Sequence, residues 1–87
     1  MQADVIMYST RFCPYCMRAR KLLKNKNIEY KEILLGFDKS LREEMEQKSG
    51  RTSVPQIFIN GQSIGGYDDM VQLNIDGQLD TLLIKEK

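Results

Sequence analysis

Apolar and polar positions along this chain change period several times. Asp4-Val5-Ile6-Met7-Tyr8-Ser9 is a short, almost continuous apolar run with a β-branched pair. That is the pattern of a strand covered on both faces, and it predicts a buried parallel strand. From Pro14 the period becomes helical. Cys16, Ala19 and Leu23 fall on one face with Leu22 beside them, while Arg18, Arg20, Lys21 and Lys24 point away. Pro14 suits the first helical position, where a missing N–H costs nothing, so Cys13 stands at or next to the N-cap. The helix should fade near Asn25 to Asn27.

Ile28 to Leu35 holds a second strand with an imperfect alternation, its apolar positions being Tyr30, Ile33 and Leu34. Gly36-Phe37 is a turn. Asp38 is placed to cap a second helix that runs through Lys48, and Gly50 suits its C-terminal stop. Leu41 and Met45 give that helix a narrow apolar stripe, and its many charges read as a solvated face. Gln56-Ile57-Phe58-Ile59, Asn60-Gly61 and Gln62-Ser63-Ile64 form a hairpin signal, because Asn-Gly favours the positive φ angles of a tight two-residue turn. After Gly65-Gly66 a third helix begins near Asp68, with Met70, Val71 and Leu73 inward. Gly77 breaks the pattern. A last short helix over about Leu79 to Ile84 covers the sheet with Leu79, Leu82 and Leu83.

The order strand, helix, strand, helix, strand, strand, helix predicts an α/β chain. Its first βαβ unit is parallel with a right-handed crossover, and its last two strands are antiparallel. The whole is a four-stranded mixed sheet flanked by helices, a thioredoxin-like arrangement. The 87 residues fit one domain, residues 1–87, with one core. Apolar residues make up 41% and charged residues 29%, as in a soluble globular chain. A net charge of +1 argues against nucleic acid as the main partner, since phosphate binding needs a clear basic excess. No apolar run is long enough to span a bilayer. The N-terminal residues lack the basic and apolar regions of a secretory signal.

The two cysteines stand three positions apart and the chain has no histidine. A disulfide closing so short a loop is a poor staple, and small secreted domains usually carry several bridges. The expected compartment is therefore the reducing cytoplasm, where such a pair is catalytic or metal-binding. A structural zinc site needs two further soft ligands, and neither a third cysteine nor a histidine exists to supply them. Redox chemistry is the better reading, and no metal is expected. A thiolate does the work in thiol–disulfide exchange. At a helix N-terminus, unpaired N–H groups and the helix dipole favour the charged form, so Cys13 is the expected nucleophile, with positive potential added by Arg11. Cys16, one turn further in, is the expected resolving thiol. Tyr15 projects outward, where it is either a plain surface aromatic or the edge of a binding groove.

Two further segments support this centre. Ser53-Val54-Pro55 stands directly before a strand. In a chain with this cysteine spacing and strand order a cis proline is expected there, leaving the Val54 backbone free to bond an extended peptide. In Gly65-Gly66-Tyr67-Asp68-Asp69 the glycines allow close backbone approach, and N–H groups at the helix start can receive a carboxylate. Asp68 and Asp69 can cap that helix, meet an ammonium group, or divide the two roles between them.

With Cys13-Pro14-Tyr15-Cys16, the run from Gly50 to Ile59, and Ile64 to Asp69, the chain resembles the short bacterial dithiol glutaredoxins over nearly its whole length. It lacks the Trp-Cys-Gly-Pro-Cys of thioredoxins and the Cys-Gly-Phe-Ser of single-thiol glutaredoxins that carry iron–sulfur clusters. The resemblance implies reduction of protein disulfides and glutathione mixed disulfides, with glutathione as reducing co-substrate and no tightly bound cofactor. It implies that Tyr15, Val54 and Pro55 line the glutathione site. Tyr67 and Asp68 would then offer backbone contacts to the γ-glutamyl carboxylate, and Asp68 and Asp69 would meet the amine. The glycyl carboxylate would fall to Arg42 or Arg11, because Thr10 stands where the family usually has Lys or Arg. Ser53 and Tyr67 stand where family members often have Thr and Cys. The implied partners are disulfide-bearing or glutathionylated proteins, ribonucleotide reductase among them, met by a monomer. Two rivals are a protein recharged by thioredoxin reductase and an iron–sulfur carrier bridged through Cys13 of two chains.

Overall fold

The computed structural model describes residues 3–84. Its elements run β1 (Val5–Ser9), α1 (Pro14–Asn25), β2 (Lys31–Leu34), α2 (Lys39–Ser49), β3 (Gln56–Ile59), β4 (Gln62–Gly65), α3 (Tyr67–Ile75) and α4 (Gln78–Leu83). The strands form one mixed sheet in the order β2-β1-β3-β4. β1 pairs parallel with β2, from Ile6 opposite Lys31 to Ser9 opposite Leu34. It pairs antiparallel with β3, from Val5 opposite Ile59 to Tyr8 opposite Gln56. β3 and β4 close the expected hairpin, with Asn60 at φ 52° and Gly61 at φ 81° in its turn.

The near-continuous apolar run of β1 now has its reason, since β1 is a central strand with both faces covered. Val5 and Met7 point into a cluster with Ile57, Ile59, Ala19, Leu23, Met70, Leu79 and Leu83. Tyr8 points to the other side, where Phe58, Leu35 and Met45 form a second cluster with Ile6, Ile33, Leu41 and Val54 packed on it. Thus α1, α3 and α4 cover one face and α2 the other. Tyr8 and Phe58 meet edge to face, with ring centroids 5.6 Å apart.

Three sequence expectations change. The second strand spans only Lys31–Leu34, and within it Leu34 is exposed while the next residue, Leu35, is buried. As the sheet's outer strand, β2 is covered by α2 only on one face, so the side chain that alternates outward meets solvent. Val71 remains partly exposed and outside the core cluster, because α3 turns Met70, Leu73 and Tyr67 toward the sheet instead. Arg20 does not point away, as the site below shows. The helix ends follow the sequence closely. The Asp38 carboxylate accepts the Leu41 N–H at 3.2 Å, and Gly50 closes α2 at φ 73°.

Candidate functional site

Thr10, Arg11 and Phe12 lead out of β1 to Cys13, which is the N-cap of α1 with extended backbone angles of φ −87° and ψ 121°. Pro14 opens the helix. The Cys13 sulfur accepts the Cys16 N–H at 3.3 Å, so it occupies the place of a capping oxygen. Both cysteines are free thiols, Cys13 partly exposed and Cys16 fully buried.

Their surroundings push them apart. Partial burial raises the Cys13 thiol, but the Cys16 thiol, the Cys16 and Tyr15 N–H groups and the Arg20 charge outweigh it and hold Cys13 below the ordinary cysteine value. Burial pushes Cys16 up to about 11, with the Cys13 sulfur adding to the rise and the Thr10 backbone and Arg20 opposing it.

The cation that acts on the pair is therefore Arg20 rather than the expected Arg11. The helical period assigns Arg20 to the outer face, but its long side chain folds back over the β1–α1 loop. Nε meets Glu32 Oε2 at 2.6 Å, and Nη2 donates to the Thr10 carbonyl at 3.0 Å and to Ser9 Oγ at 3.4 Å. The buried Ser9 hydroxyl donates in turn to Glu32. One network thus ties the end of β1, the loop, α1 and β2 together beneath the cysteines.

The Val54–Pro55 bond is cis, as expected, and the Val54 carbonyl stands 3.8 Å from the Cys13 sulfur. At the start of α3, Gly66 is the N-cap and Tyr67 the first helical residue, one position before the expected start near Asp68. Asp69 Oδ2 accepts the Gly66 N–H at 2.9 Å and meets Arg51 Nη1 at 2.7 Å. The Gly66 N–H and then Arg51 hold the Asp69 carboxyl below its usual range. Gly65, at φ 112°, sits so close to the Asp69 carboxylate that a Cβ would run into it.

Three segments that are far apart in sequence meet here. Tyr15, Val54, Pro55, Gly66, Tyr67, Asp68, Asp69 and Arg51 line a hollow of about 160 Å³. The Tyr15 and Tyr67 rings stand 6.3 Å apart, and the Arg18 guanidinium lies 5.4 Å from the Tyr15 ring centre. Neither Arg11 nor Arg42 lines this hollow. Arg42 donates to the Thr52 carbonyl at 3.1 Å, two residues before Val54. Arg11 borders a separate hollow with Cys13. Sequence reasoning missed Arg51, although it stands inside the run from Gly50 to Ile59. Its pairing with Asp69, eighteen positions away, has no signature in spacing.

Residues 5–64 match the glutaredoxin family model. The chain is 48% identical to glutaredoxin 3 of Escherichia coli strain K12 over 81 residues, covering 93% of this chain and 98% of that one. It is 44% identical to the glutaredoxin of Pseudomonas aeruginosa over 79 residues, covering 91% and 94%. Among solved structures, the buckwheat glutaredoxin–glutathione complex superposes with a TM-score of 0.86 at 30% identity, covering 93% of this chain and 76% of that one. The solution structure of glutaredoxin from Brucella melitensis gives 0.83 at 46% identity, covering 94% and 89%. The cysteine pair at the start of α1 is in place, the sheet and helices superpose, and the match runs nearly from end to end, so the chain belongs to the glutaredoxin family of thiol–disulfide oxidoreductases.

Proposed function

We propose that the chain, acting as one domain over residues 1–87, reduces protein disulfides and glutathione mixed disulfides with glutathione as co-substrate. The observation that carries this reading is the opposed setting of the two thiols. Cys13 is partly exposed and lowered, while Cys16 is buried and raised. The Cys13 thiolate attacks one sulfur of the disulfide, a Cys13–sulfur bond forms, and the other sulfur leaves with the electron pair. On a protein-bound intermediate Cys16 attacks the Cys13 sulfur, and its proton passes to the departing thiolate. Two glutathione molecules then return the Cys13–Cys16 disulfide to the dithiol and leave as glutathione disulfide.

Glutathione itself fits the hollow beside Tyr15. The N–H groups in the first turn of α3, at Tyr67 and Asp68, suit its γ-glutamyl carboxylate. The exposed Asp68 side chain suits its amine, because Asp69 is already engaged by Gly66 and Arg51. The Val54 backbone, beside Pro55 and Cys13, suits its cysteinyl amide in the manner of an added strand. Arg42, held beside Thr52, is the cation assigned to the glycyl carboxylate. The buckwheat relative in complex with glutathione supports this reading. No cofactor is held tightly, and the working compartment is the reducing cytoplasm.

Turnover of a glutathione mixed disulfide by glutathione, measured for wild type and two variants, tests the proposal. Cys13→Ser abolishes all activity. Cys16→Ser retains removal of glutathione from proteins and loses reduction of protein disulfides. Full activity without Cys13, or turnover that is independent of glutathione concentration, overturns it.

A further inference from the structure

A second hollow, of about 570 Å³, shares no lining residue with the first, and it is the one into which Cys13 opens. Its walls are apolar to a degree unusual for a surface. Phe12 is 87% exposed, Phe37 fully exposed and Leu34 47% exposed, and all three border it. Phe12 lies in the β1–α1 loop, Leu34 ends β2 and Phe37 lies in the turn after it, and the sheet brings them together because β1 and β2 are parallel neighbours. None of the three belongs to either core cluster. Large apolar side chains gathered on one exposed patch mark an interaction surface rather than scattered exposure. Arg11 stands on the same rim, with no ion pair among the described residues.

We propose that Phe12, Leu34 and Phe37 form a docking ledge for the polypeptide that carries one sulfur of the disulfide opened by Cys13, and that this ledge selects substrates with an apolar residue beside the target cysteine and an acidic residue nearby. The inference rests on the function proposed above and adds the substrate class. Continuity with the reacting sulfur fixes the occupant. A chain delivering a disulfide to Cys13 must cross the open hollow that holds Cys13, and the hollow beside Tyr15 matches the small peptide glutathione. Charge supplies the rest, since among the described residues the rim carries one positive side chain and no acidic one. A second copy of this chain is disfavoured as occupant, because two identical patches would face each other and neither would supply an acidic partner for Arg11.

Three glutathionylated substrates and the double variant Phe12→Ser/Phe37→Ser test the ledge. One hexapeptide has Leu on both sides of its cysteine and a terminal Asp, a second has Ser and Lys in those places, and the third substrate is the small mixed disulfide of glutathione with cysteine. Wild type prefers the first peptide over the second, and the double variant loses about tenfold in kcat/KM on the first peptide alone. Its rate on the small mixed disulfide stays unchanged. Equal loss on all three substrates, or no loss on the first peptide, overturns the ledge. So does sedimentation showing a wild-type dimer that the double variant abolishes. Failure of wild type to turn over the small mixed disulfide instead overturns the underlying function, so the two failures are distinguishable.

Discussion

At Cys13 partial burial alone would keep the proton on sulfur, and only the convergence of several donors reverses that. Two of those donors, the N–H groups of Tyr15 and Cys16, come free with the helix start. The long-range contributor is Arg20, whose guanidinium is held by Glu32, Ser9 and the Thr10 carbonyl. Replacing Arg20 by Gln removes the charge and leaves Glu32 behind, so the Cys13 pKa rises. In a Cys16→Ser background, alkylation by iodoacetamide followed against pH reports this directly. The midpoint of the profile shifts to higher pH and the rate near pH 6 falls severalfold, while the rate at alkaline plateau is kept. An unmoved midpoint would show that the network only braces the loop.

At the scale of elements, the start of α3 is built from a glycine pair and one aspartate. Gly66 leaves room for the close approach of Pro55, and Asp69 closes the first turn by accepting the Gly66 N–H. The Asp69 pKa is lowered in the folded state, so its contribution is complete above the unfolded carboxylate value of about 3.9 and is lost as pH falls through the folded value. Asp69→Asn therefore lowers stability near neutral pH and converges on wild type in acid. Urea unfolding at pH 7 and pH 3 checks the sign. The neutral-pH difference is about 1 kcal/mol or less, because both side chains of the Arg51–Asp69 pair are half-exposed and water screens them. A difference that does not shrink between pH 7 and pH 3 would place the effect in packing. The cap at Asp38 was legible from sequence because it is local, a side-chain oxygen reaching an N–H three residues on. The Arg51–Asp69 pair was not, because it joins the segment before β3 to a helix two elements later.

Over the whole molecule, stability rests on two clusters separated by the sheet, and the site rests on their shared strand β1. Leu23 is fully buried on α1, between the sheet and the helices on that face. Leu23→Ala costs about 2–5 kcal/mol by lost burial and the cavity left behind, read as a lower urea midpoint with an unchanged slope. A loss under 1 kcal/mol would mean that α1 packs less on this residue than its burial implies. The residue patterns by themselves determined the order of elements, the mixed sheet, both inner faces of α1 and α2, the Asn60-Gly61 turn and the paired thiols. Each depends on neighbours along the chain, through a fixed period or a short-range hydrogen bond. Tertiary structure alone decided which cation faces the sulfur. It turned Arg20 inward, left Arg11 on the rim and brought Arg51 to Asp69, because long side chains choose partners by what the sheet places within reach. It also set Phe12 beside Leu34 and Phe37, since only the pairing of β1 with β2 brings the β1–α1 loop to the end of β2 and the turn after it.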